Sequence, residues 1–370
     1  MKVGVLTSSR ADFGIYLPLL KLLKEDSFFN LEIIAFGTHL SQKHGYTISE
    51  INNYGFTKIT EIDTLPGSDS AENISKSIGQ TIKVFSSFWE NNKFDLVICL
   101  GDRFEMFAAV SSGTPFNIKF AHIHAGETTL GAIDNGYRHS ISLFSDILFV
   151  STNEYQKRAD NLVDGSANVY NVGALSIDNL FDTALYSKKE FLKEFNIDLT
   201  KPTILSTFHP ETVNFQNNAI YIDELLGAFD MLLDSYQIVI TLPNIDTMGE
   251  LIRDKIHDYK KINNRLIVIE SFGMKGYLSC MKHCSLLLGN SSSGFVEASF
   301  FSKPVINLGE RQRGRIITNN IFNTKIIKSE IIETIRAIES LGKLEKNVIY
   351  GDGKSAHRIK KIIKDSYGNN

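Results

Sequence analysis

Short β-rich runs alternate with longer helix-compatible segments along nearly the whole chain, and this alternation constrains the fold more than any other feature. Eleven runs are predicted as strands, at residues 3–7, 31–36, 95–100, 118–123, 147–150, 169–172, 203–207, 238–242, 266–269, 285–288 and 304–308. Segments between them, such as 15–23 and 222–233, carry apolar residues at spacings of three and four. The pattern predicts parallel sheets covered by helices, the doubly wound α/β class.

Two domains are expected because 370 residues exceed one ordinary core at about 150 residues per domain. The two series of strands are separated near Gly173, which predicts an N-terminal domain over 1–173 and a C-terminal domain over 174–353. Within the final segment, 354–370, residues 355–367 are predicted as one amphipathic helix after the turn GDG at 351–353. Since no low-complexity linker separates the halves, we expect a substantial interdomain cleft.

Charge and cysteine content exclude several classes of protein. A net charge of -3 argues against a broad nucleic-acid-binding surface. The three cysteines form no CxxC pair, which favours packed thiols in a reducing cytosol over disulfides or a zinc site. The start, MKVGVLTSS, is typical of a first strand, and no apolar run approaches transmembrane length. We therefore expect a cytoplasmic protein with no membrane partner.

GNSSSGFVE, residues 289–297, follows the strand predicted at 285–288. A helix beginning here would direct free N–H groups and its positive dipole end toward the serines. Three hydroxyl groups add further donors, those of Ser291, Ser292 and Ser293. We expect a phosphate group at this turn, although the serines could instead only cap a helix.

Two stretches in the first half also follow predicted strands directly. SSRADFG, residues 8–14, places Arg10 at a turn where its guanidinium could meet a phosphate, or simply lie at the surface. LGDRFE, residues 100–105, places Asp102 where a strand meets a helix. That aspartate could be a helix cap or a base facing the cleft.

The region AHIHAGETTLGAIDNGYRHS, residues 121–140, is the densest polar segment that follows a strand. His122 and His124 are expected on one strand face because side chains alternate with period two. Carboxylates and histidines around one point suit general acid–base chemistry. A zinc or iron site, or purely structural histidines, are the alternatives.

Three loops in the second half complete the set of candidates. FHPET presents His209, LPNIDT presents Asn244, and GERQRGR presents arginines that include Arg311. The arginine loop lies one βα unit beyond the serine turn, so at least one guanidinium could reach the same anion.

Together these motifs resemble the hydrolysing UDP-N-acetylglucosamine 2-epimerase family of bacterial sialic-acid and legionaminic-acid synthesis. The matching stretches, in order, are SRADFG, LGDRFE, HIHAGE with IDNGYRHSI, FHPET, PNIDT, GNSSSGFVE, PVINLGERQRGR and IYGDG. They run from residue 9 to residue 353. The resemblance implies a GT-B-type architecture of two Rossmann-like domains, with the C-terminal helix crossing back to domain one.

The resemblance also implies roles for individual residues. Nucleotide-binding positions correspond to Arg10, Ala11, Arg103, His209, Asn244, Ser291, Ser292, Glu297 and Arg311. Glu297 would hold the ribose hydroxyls. The catalytic carboxylates correspond to Asp102 and Asp134, with Glu127 close by. Some members of the family have HIEGGE where this chain has HIHAGE, so His124 is itself an acid–base candidate.

The activity implied is conversion of UDP-N-acetylglucosamine and water to UDP and N-acetylmannosamine through a glycal intermediate, with no metal or other cofactor. A related substrate, UDP-2,4-diacetamido-2,4,6-trideoxyhexose, is the alternative within the family. A GT-B-type glycosyltransferase and a nucleotide-sugar sensor are the alternatives outside it. The resemblance further suggests a homodimer or a homotetramer.

Overall fold

The computed structural model describes residues 1–42, 46–64, 69–243 and 247–368. The chain forms two units, each built on its own sheet. Unit 1 contains Met1–Glu127, Asp134–Asp182 and the residues from Ile349 onward. Unit 2 contains Thr128–Ile133 and Thr183–Val348.

Unit 1 has a seven-stranded sheet in the order β3-β2-β1-β4-β5-β6-β7. The strands are β1 Lys2–Thr7, β2 Asn30–Phe36, β3 Ile59–Ile62, β4 Leu96–Leu100, β5 Phe120–Ile123, β6 Ile147–Val150 and β7 Asn168–Asn171. Every neighbouring pair is parallel. The strand order reverses between β1 and β4, and ligands of such sheets bind beyond the carboxyl ends at that reversal.

Helices connect the strands of unit 1, and its core lies between them and the sheet. They are α1 Arg10–Glu25, α2 Ile48–Asn53, α3 Ala71–Asn91, α4 Phe104–Gly113, α5 Asp134–Leu143, α6 Asn153–Val163 and α7 Leu175–Asp182. One cluster centres on fully buried Phe85, Trp89 and Phe120. The Trp89 indole donates to the Ala109 carbonyl at 3.2 Å, so its polar atom is satisfied inside the core.

Unit 2 has a six-stranded parallel sheet in the order β10-β9-β8-β11-β12-β13, which reverses between β8 and β11. Its strands are β8 Thr203–Thr207, β9 Gln237–Thr241, β10 Ile267–Ile269, β11 Leu286–Gly289, β12 Val305–Leu308 and β13 Ile321–Thr324. Its helices are α8 Lys188–Phe195, α9 Asn218–Leu232, α10 Gly249–Ile262, α11 Gly273–His283, α12 Glu297–Phe300 and α13 Lys328–Glu339. One buried cluster covers each face of the sheet.

The two parallel α/β sheets confirm the predicted fold class. Each of the eleven predicted strands corresponds to an observed one, while β3 and β13 were not predicted. Both missed strands lie at a sheet edge. The cysteines Cys99, Cys280 and Cys284 are free and buried, as expected for packed thiols. Among the described helices, none has the length and hydropathy that crossing a bilayer requires.

The last helix, α14 Ser355–Tyr367, packs against α1 and α7 within unit 1. Asp178 of α7 accepts hydrogen bonds from the backbone N–H groups of Ser355 at 3.0 Å and Ala356 at 2.7 Å. These donors lie in the first turn of α14, where they have no partner within the helix. Because α7 packs with α1 and α14, unit 1 extends to Asp182, beyond the boundary expected near Gly173.

Replacing Asp178 with alanine is expected to destabilise unit 1 by about 1 kcal/mol, since helix-capping carboxylates contribute that much. The D178A protein should show a lower denaturant midpoint for the transition of unit 1, measured by circular dichroism. Asp365, exposed near the end of α14, provides the matched control D365A. Equal midpoints for D178A and the unmutated protein would contradict the capping role.

Candidate functional site

The loop after β1 places Arg10 and Ala11 at the start of α1, beside the reversal of unit 1. Ser9 caps this helix, and buried Asp12 accepts from the Ser8 backbone N–H at 2.6 Å. The loop is therefore fixed by its own side chains. The Arg10 guanidinium is half-buried and pairs with Glu50 at 3.1 Å. A phosphate at Arg10 would compete with this carboxylate.

The loop after β4 carries Asp102 and Arg103 on the other side of the same reversal. The Arg103 guanidinium makes two parallel hydrogen bonds to the fully buried Glu105 carboxylate, at 2.9 and 3.1 Å. Burial raises the pKa of Glu105, and the charge of Arg103 opposes that shift. A two-point contact of this kind fixes the plane of a guanidinium. Glu105 thus orients a predicted nucleotide contact, a role that the sequence did not reveal.

Buried Arg138 of α5 joins two of the predicted catalytic carboxylates. It forms ion pairs with Asp102 and, at 2.8 Å, with Glu127. The exposed fractions of the three side chains differ: 27% for Asp102, 3% for Arg138 and 1% for Glu127. Asp102 is therefore the member of this group that a ligand can reach, while Glu127 lies behind it.

His122 is a structural histidine. Its Nε2 contacts the Gly101 carbonyl oxygen at 2.8 Å and its Nδ1 contacts the Ser142 hydroxyl at 2.9 Å. A carbonyl can only accept, so Nε2 carries the proton and Ser142 donates to Nδ1. Burial lowers the pKa of His122 to about 3, which keeps the ring neutral.

His124 does not share a strand face with His122, and that prediction was wrong. Strand β5 ends at Ile123, and His124 has a left-handed φ of 69°. Few residues other than glycine adopt this conformation, so the backbone here is strained. The turn brings His124 Nδ1 to 3.4 Å from the Glu127 carboxylate. His124 therefore belongs to the Arg138 cluster, through Glu127.

Asp134 is the first residue of α5, one helical turn before Arg138. Residues four apart on a helix share a face, so Asp134 and Arg138 lie on the same side of α5. Asp134 is therefore related to the cluster through its helix face, whereas Asp102 and Glu127 contact Arg138 directly. No role for Arg138 was predicted from the sequence.

In unit 2, Asn290 joins the two loops that flank the reversal between β8 and β11. Its side chain accepts from the His209 backbone N–H at 2.7 Å and donates to the His209 carbonyl at 2.8 Å. Asn290 is fully buried, so both bonds are shielded from water. This reciprocal pair fixes the backbone of His209 beside the serine turn.

The loop after β12 is attached to the same two loops. Gln312 donates to the Asn290 carbonyl at 2.8 Å, and Arg315 donates to the Gln312 side chain at 2.7 Å. The Glu211 carboxylate accepts from the Glu310 backbone N–H at 2.6 Å. Half-buried Arg311 lies between these anchors. The sequence did not predict roles for Asn290, Glu211 or Gln312, which act through backbone groups.

The serine turn differs from its prediction, because no long helix begins there. Ser292–Gly294 form a single 3-10 turn, and the four-residue helix α12 follows. Ser291 caps the turn and is half-buried, Ser292 is exposed, and Glu297 is the first residue of α12. A large helix dipole is therefore not available, and local N–H groups and hydroxyls are the donors at this turn.

Residues Thr128–Ile133, here called the strap, belong to unit 2 although the chain on either side belongs to unit 1. The Leu130 N–H donates to the Arg313 carbonyl at 2.8 Å, and the Ile133 N–H donates to the Thr212 hydroxyl at 2.9 Å. A Cβ atom on Gly131 would clash with the Glu310 carbonyl. Glycine is therefore required where the strap lies against the arginine loop.

The predicted nucleotide contacts fall into two sets. Arg10, Ala11 and Arg103 lie at the carboxyl edge of the sheet of unit 1, and His209, Ser291, Ser292, Glu297 and Arg311 lie at that of unit 2. Asn244 lies outside the described residues. Within 1–42, 46–64, 69–243 and 247–368, no group of three His, Cys, Asp or Glu side chains is placed to hold a metal ion.

Comparison with known proteins identifies the family. The model of the family described as UDP-N-acetylglucosamine 2-epimerase matches residues 21–364. The chain belongs to the UDP-N-acetylglucosamine 2-epimerase family. This confirms the resemblance seen in the sequence motifs and makes the protein a member of an enzyme family that acts on nucleotide sugars.

Two curated relatives and one solved structure illustrate the match. GDP/UDP-N,N'-diacetylbacillosamine 2-epimerase (hydrolyzing) of Campylobacter jejuni is 36% identical over 92% of this chain and 87% of its own. Polysialic acid biosynthesis protein P7 of Escherichia coli is 32% identical over 90% of this chain and 85% of its own. The structure of the Neisseria meningitidis UDP-GlcNAc 2-epimerase bound to UDP-GlcNAc has a TM-score of 0.82 at 19% identity, over 99% of this chain and 100% of that one.

The neutral state of His122 predicts a pH effect on stability. An unfolded histidine has a pKa of about 6.5, whereas that of folded His122 is about 3. Between these values the unfolded chain binds a proton that the folded chain does not, so the free energy of unfolding falls as the pH drops through this range. In histidine NMR spectra, the His122 ring should keep its neutral shift at pH 5, with the H122Q spectrum identifying the signal. A titration midpoint of the His122 ring near pH 6 would contradict the neutral state of the buried ring.

Replacing Gly131 with alanine should loosen the strap, because the added Cβ clashes with backbone that cannot rotate away. We expect the Leu130 and Ile133 amide hydrogens to exchange about tenfold faster in G131A, as measured by mass spectrometry. The control is G79A, since a Cβ at Gly79 in α3 meets no atom within 4 Å. Unchanged exchange in G131A would show that the strap is not held by this contact.

Proposed function

We propose that the protein is a hydrolysing UDP-sugar 2-epimerase, which converts a UDP-linked 2-acetamido sugar and water to UDP and the free sugar epimerised at C2. The observation that carries the proposal is the partly exposed Asp102, held by buried Arg138 at the strand reversal of unit 1. Membership of the family supports the reaction type. The printed name of the Campylobacter jejuni relative supports the hydrolysing form.

The proposed reaction is an elimination followed by hydration. A carboxylate removes the proton from C2 while the C1–O bond breaks and its electron pair leaves with UDP. The resulting glycal has a double bond between C1 and C2. Water then gives its hydroxyl to C1, and a proton returns to C2 on the opposite face. The weak acidity of the C2 proton means that stabilising the departing diphosphate is as important as the base.

Asp102 and Asp134 are the proposed acid–base groups. The exposure of Asp102 supports direct contact with the sugar, and the choice of Asp134 is supported by its position on the same side of α5 as Arg138. Glu127 is almost fully buried and bonded to Arg138, so we assign it to orienting the arginine. His124 is the further candidate for proton transfer, since its Nδ1 faces Glu127.

UDP is proposed to bind at the loops of unit 2. The diphosphate would accept from the serine turn and from Arg311, beside His209, while Glu297 would accept from the ribose hydroxyls. Support comes from the Asn290 pair, which holds the backbone of His209 next to the serine turn. Asn244, Arg10, Ala11 and Arg103 are the other proposed nucleotide contacts.

Two substrates are proposed, and they differ at C4 and C6 of the hexose. UDP-N-acetylglucosamine is the substrate expected from the sequence motifs. UDP-N,N'-diacetylbacillosamine, a 2,4-diacetamido-2,4,6-trideoxy sugar, is favoured by the name of the relative with 36% identity. The name of the Escherichia coli relative supports a place in the synthesis of sialic-acid-type sugars.

Asp102→Asn keeps the shape of the side chain and removes its basic oxygen, so we expect kcat to fall by about 10²–10⁴. UDP release from each UDP-sugar, measured with a coupled assay, gives the rate. The E127Q substitution should lower kcat by a smaller factor, because Glu127 acts through Arg138. The surface control is D223N, since exposed Asp223 pairs with Lys255 on α10. Near-normal turnover by D102N would contradict the role of Asp102.

The two substrates and the transferase alternative can be separated in one experiment. The protein is incubated with each UDP-sugar alone, and products are identified by NMR. The proposal predicts UDP and a free C2-epimerised sugar in equal amounts from at least one of them. A glycosyltransferase would release no epimerised sugar, and that result would contradict the proposed function. The larger kcat/KM identifies the substrate.

A further inference from the structure

The serine turn of unit 2 is supported by a chain of hydroxyl groups. Tyr277 of α11 lies at the centre, with its hydroxyl 2.8 Å from Ser293 Oγ and 3.4 Å from Thr207 Oγ1. Ser293 Oγ is 3.0 Å from Ser291 Oγ, and Thr207 Oγ1 is 2.6 Å from Thr241 Oγ1. The hydroxyl chain thus runs from the carboxyl ends of β8 and β9 to Ser291, which caps the turn.

The hydroxyl chain holds the turn to the body of unit 2 together with the apolar packing of buried Phe295, which follows the turn. A small cavity lies under the turn, lined by residues that include Thr207, Tyr277, Gly289, Ser291 and Gly294. The turn is a single 3-10 turn, so a long helix does not stabilise it. The contact between Ser293 and Tyr277 attaches the turn to α11 by a side-chain hydrogen bond.

The direction of the hydrogen bonds decides what Ser291 can offer a ligand. Each hydroxyl donates one hydrogen bond and can accept two. Ser291 Oγ accepts from the Ser293 backbone N–H at 3.4 Å. If Tyr277 donates to Ser293 and Ser293 donates to Ser291, the Ser291 hydroxyl hydrogen is released to point outward. In the opposite direction, Ser291 donates to Ser293 and presents a lone pair instead.

An anion selects the first direction because it accepts hydrogen bonds and repels lone pairs. Hydroxyls linked in one direction polarise each other, which strengthens the last donor. Tyr277 is suited to start such a chain, since its ring is held in α11 and burial raises the pKa of its hydroxyl, which stays protonated. Tyr277 was not predicted from the sequence, because it lies on a helix and not in a strand-end loop.

We propose that Tyr277 and Ser293 are positioning residues that turn the Ser291 hydroxyl into an outward donor for the diphosphate of the ligand. The inference rests on the proposed function, in which UDP is that ligand. Neither residue needs to touch the nucleotide through its hydroxyl. Their loss should weaken binding of the phosphate groups and leave the nucleoside contacts in place.

The test compares UDP with uridine, which lacks the diphosphate. Isothermal titration should show the Kd for UDP about tenfold higher in Y277F and in S293A than in the unmutated protein, and the Kd for uridine changed by less than twofold. Because both residues act through one hydroxyl chain, their effects on binding should not add. The Kd for UDP of the double variant should exceed that of the more weakly binding single variant by about twofold at most. The matched control is Y236F, since the Tyr236 hydroxyl bonds exposed Glu339 at 2.7 Å.

Each outcome decides between the proposals. Unchanged UDP binding in both Y277F and S293A overturns the positioning role, and so does an equal loss for UDP and uridine, which would indicate general damage to unit 2. If Y277F unfolds at a lower temperature, S293A gives the result, because it leaves the ring in place. Failure of the unmutated protein to bind UDP would overturn the proposed function itself, and the positioning role with it.

Discussion

Each strand of the two sheets is parallel to its neighbours, and this shared direction determines where the candidate site residues meet. Parallel strands present all their carboxyl ends at one edge, and the reversal of strand order leaves a crevice there. In unit 1 this edge brings together the loops after β1, β4 and β5, and in unit 2 those after β8, β11 and β12. Residues far apart in sequence, such as Asp102 and Arg138, become neighbours through this arrangement.

Buried polar side chains hold these loops in place. A buried charge or amide is tolerated when its hydrogen bonds are satisfied. The Asn290 side chain bonds the backbone of His209. Glu105 pairs with the guanidinium of Arg103, and Glu127 pairs with Arg138. Such residues do not face the ligand in this account. They fix the geometry of the residues that face the ligand. The contact of His124 with Glu127 is an example, since surrounding contacts are needed to maintain a strained residue.

Every interior strand and two of the four edge strands, β7 and β10, were predicted from the sequence. Interior strands contain mostly apolar, buried runs, as in LVICL of β4, and this pattern is visible without a structure. The missed strands, ITEI and IFNT, are short, partly polar edge strands whose pattern resembles a loop. Helix α14 was predicted at its observed bounds because its apolar stripe is regular and a GDG turn precedes it.

Candidate site residues were named where they follow strands, and the residues that support them from elsewhere in the fold were missed. Asp102, Glu127 and His124 were named from their loops, and the structure joins them through Arg138. The expected shared face of His122 and His124 failed because period-two alternation ends with the strand, at Ile123. The roles of Asn290, Glu105 and Tyr277 depend on contacts across the fold, and local patterns carry no signal for those.

Deuterium incorporation at C2 of the product distinguishes the proposed elimination from simple hydrolysis, because elimination must exchange that hydrogen with solvent. The protein is incubated with a UDP-sugar in D₂O, and the released sugar is analysed by NMR and mass spectrometry. The account predicts one deuterium at C2, with inverted configuration at that carbon. A released sugar that keeps its original hydrogen and configuration at C2 would show simple hydrolysis and contradict the account.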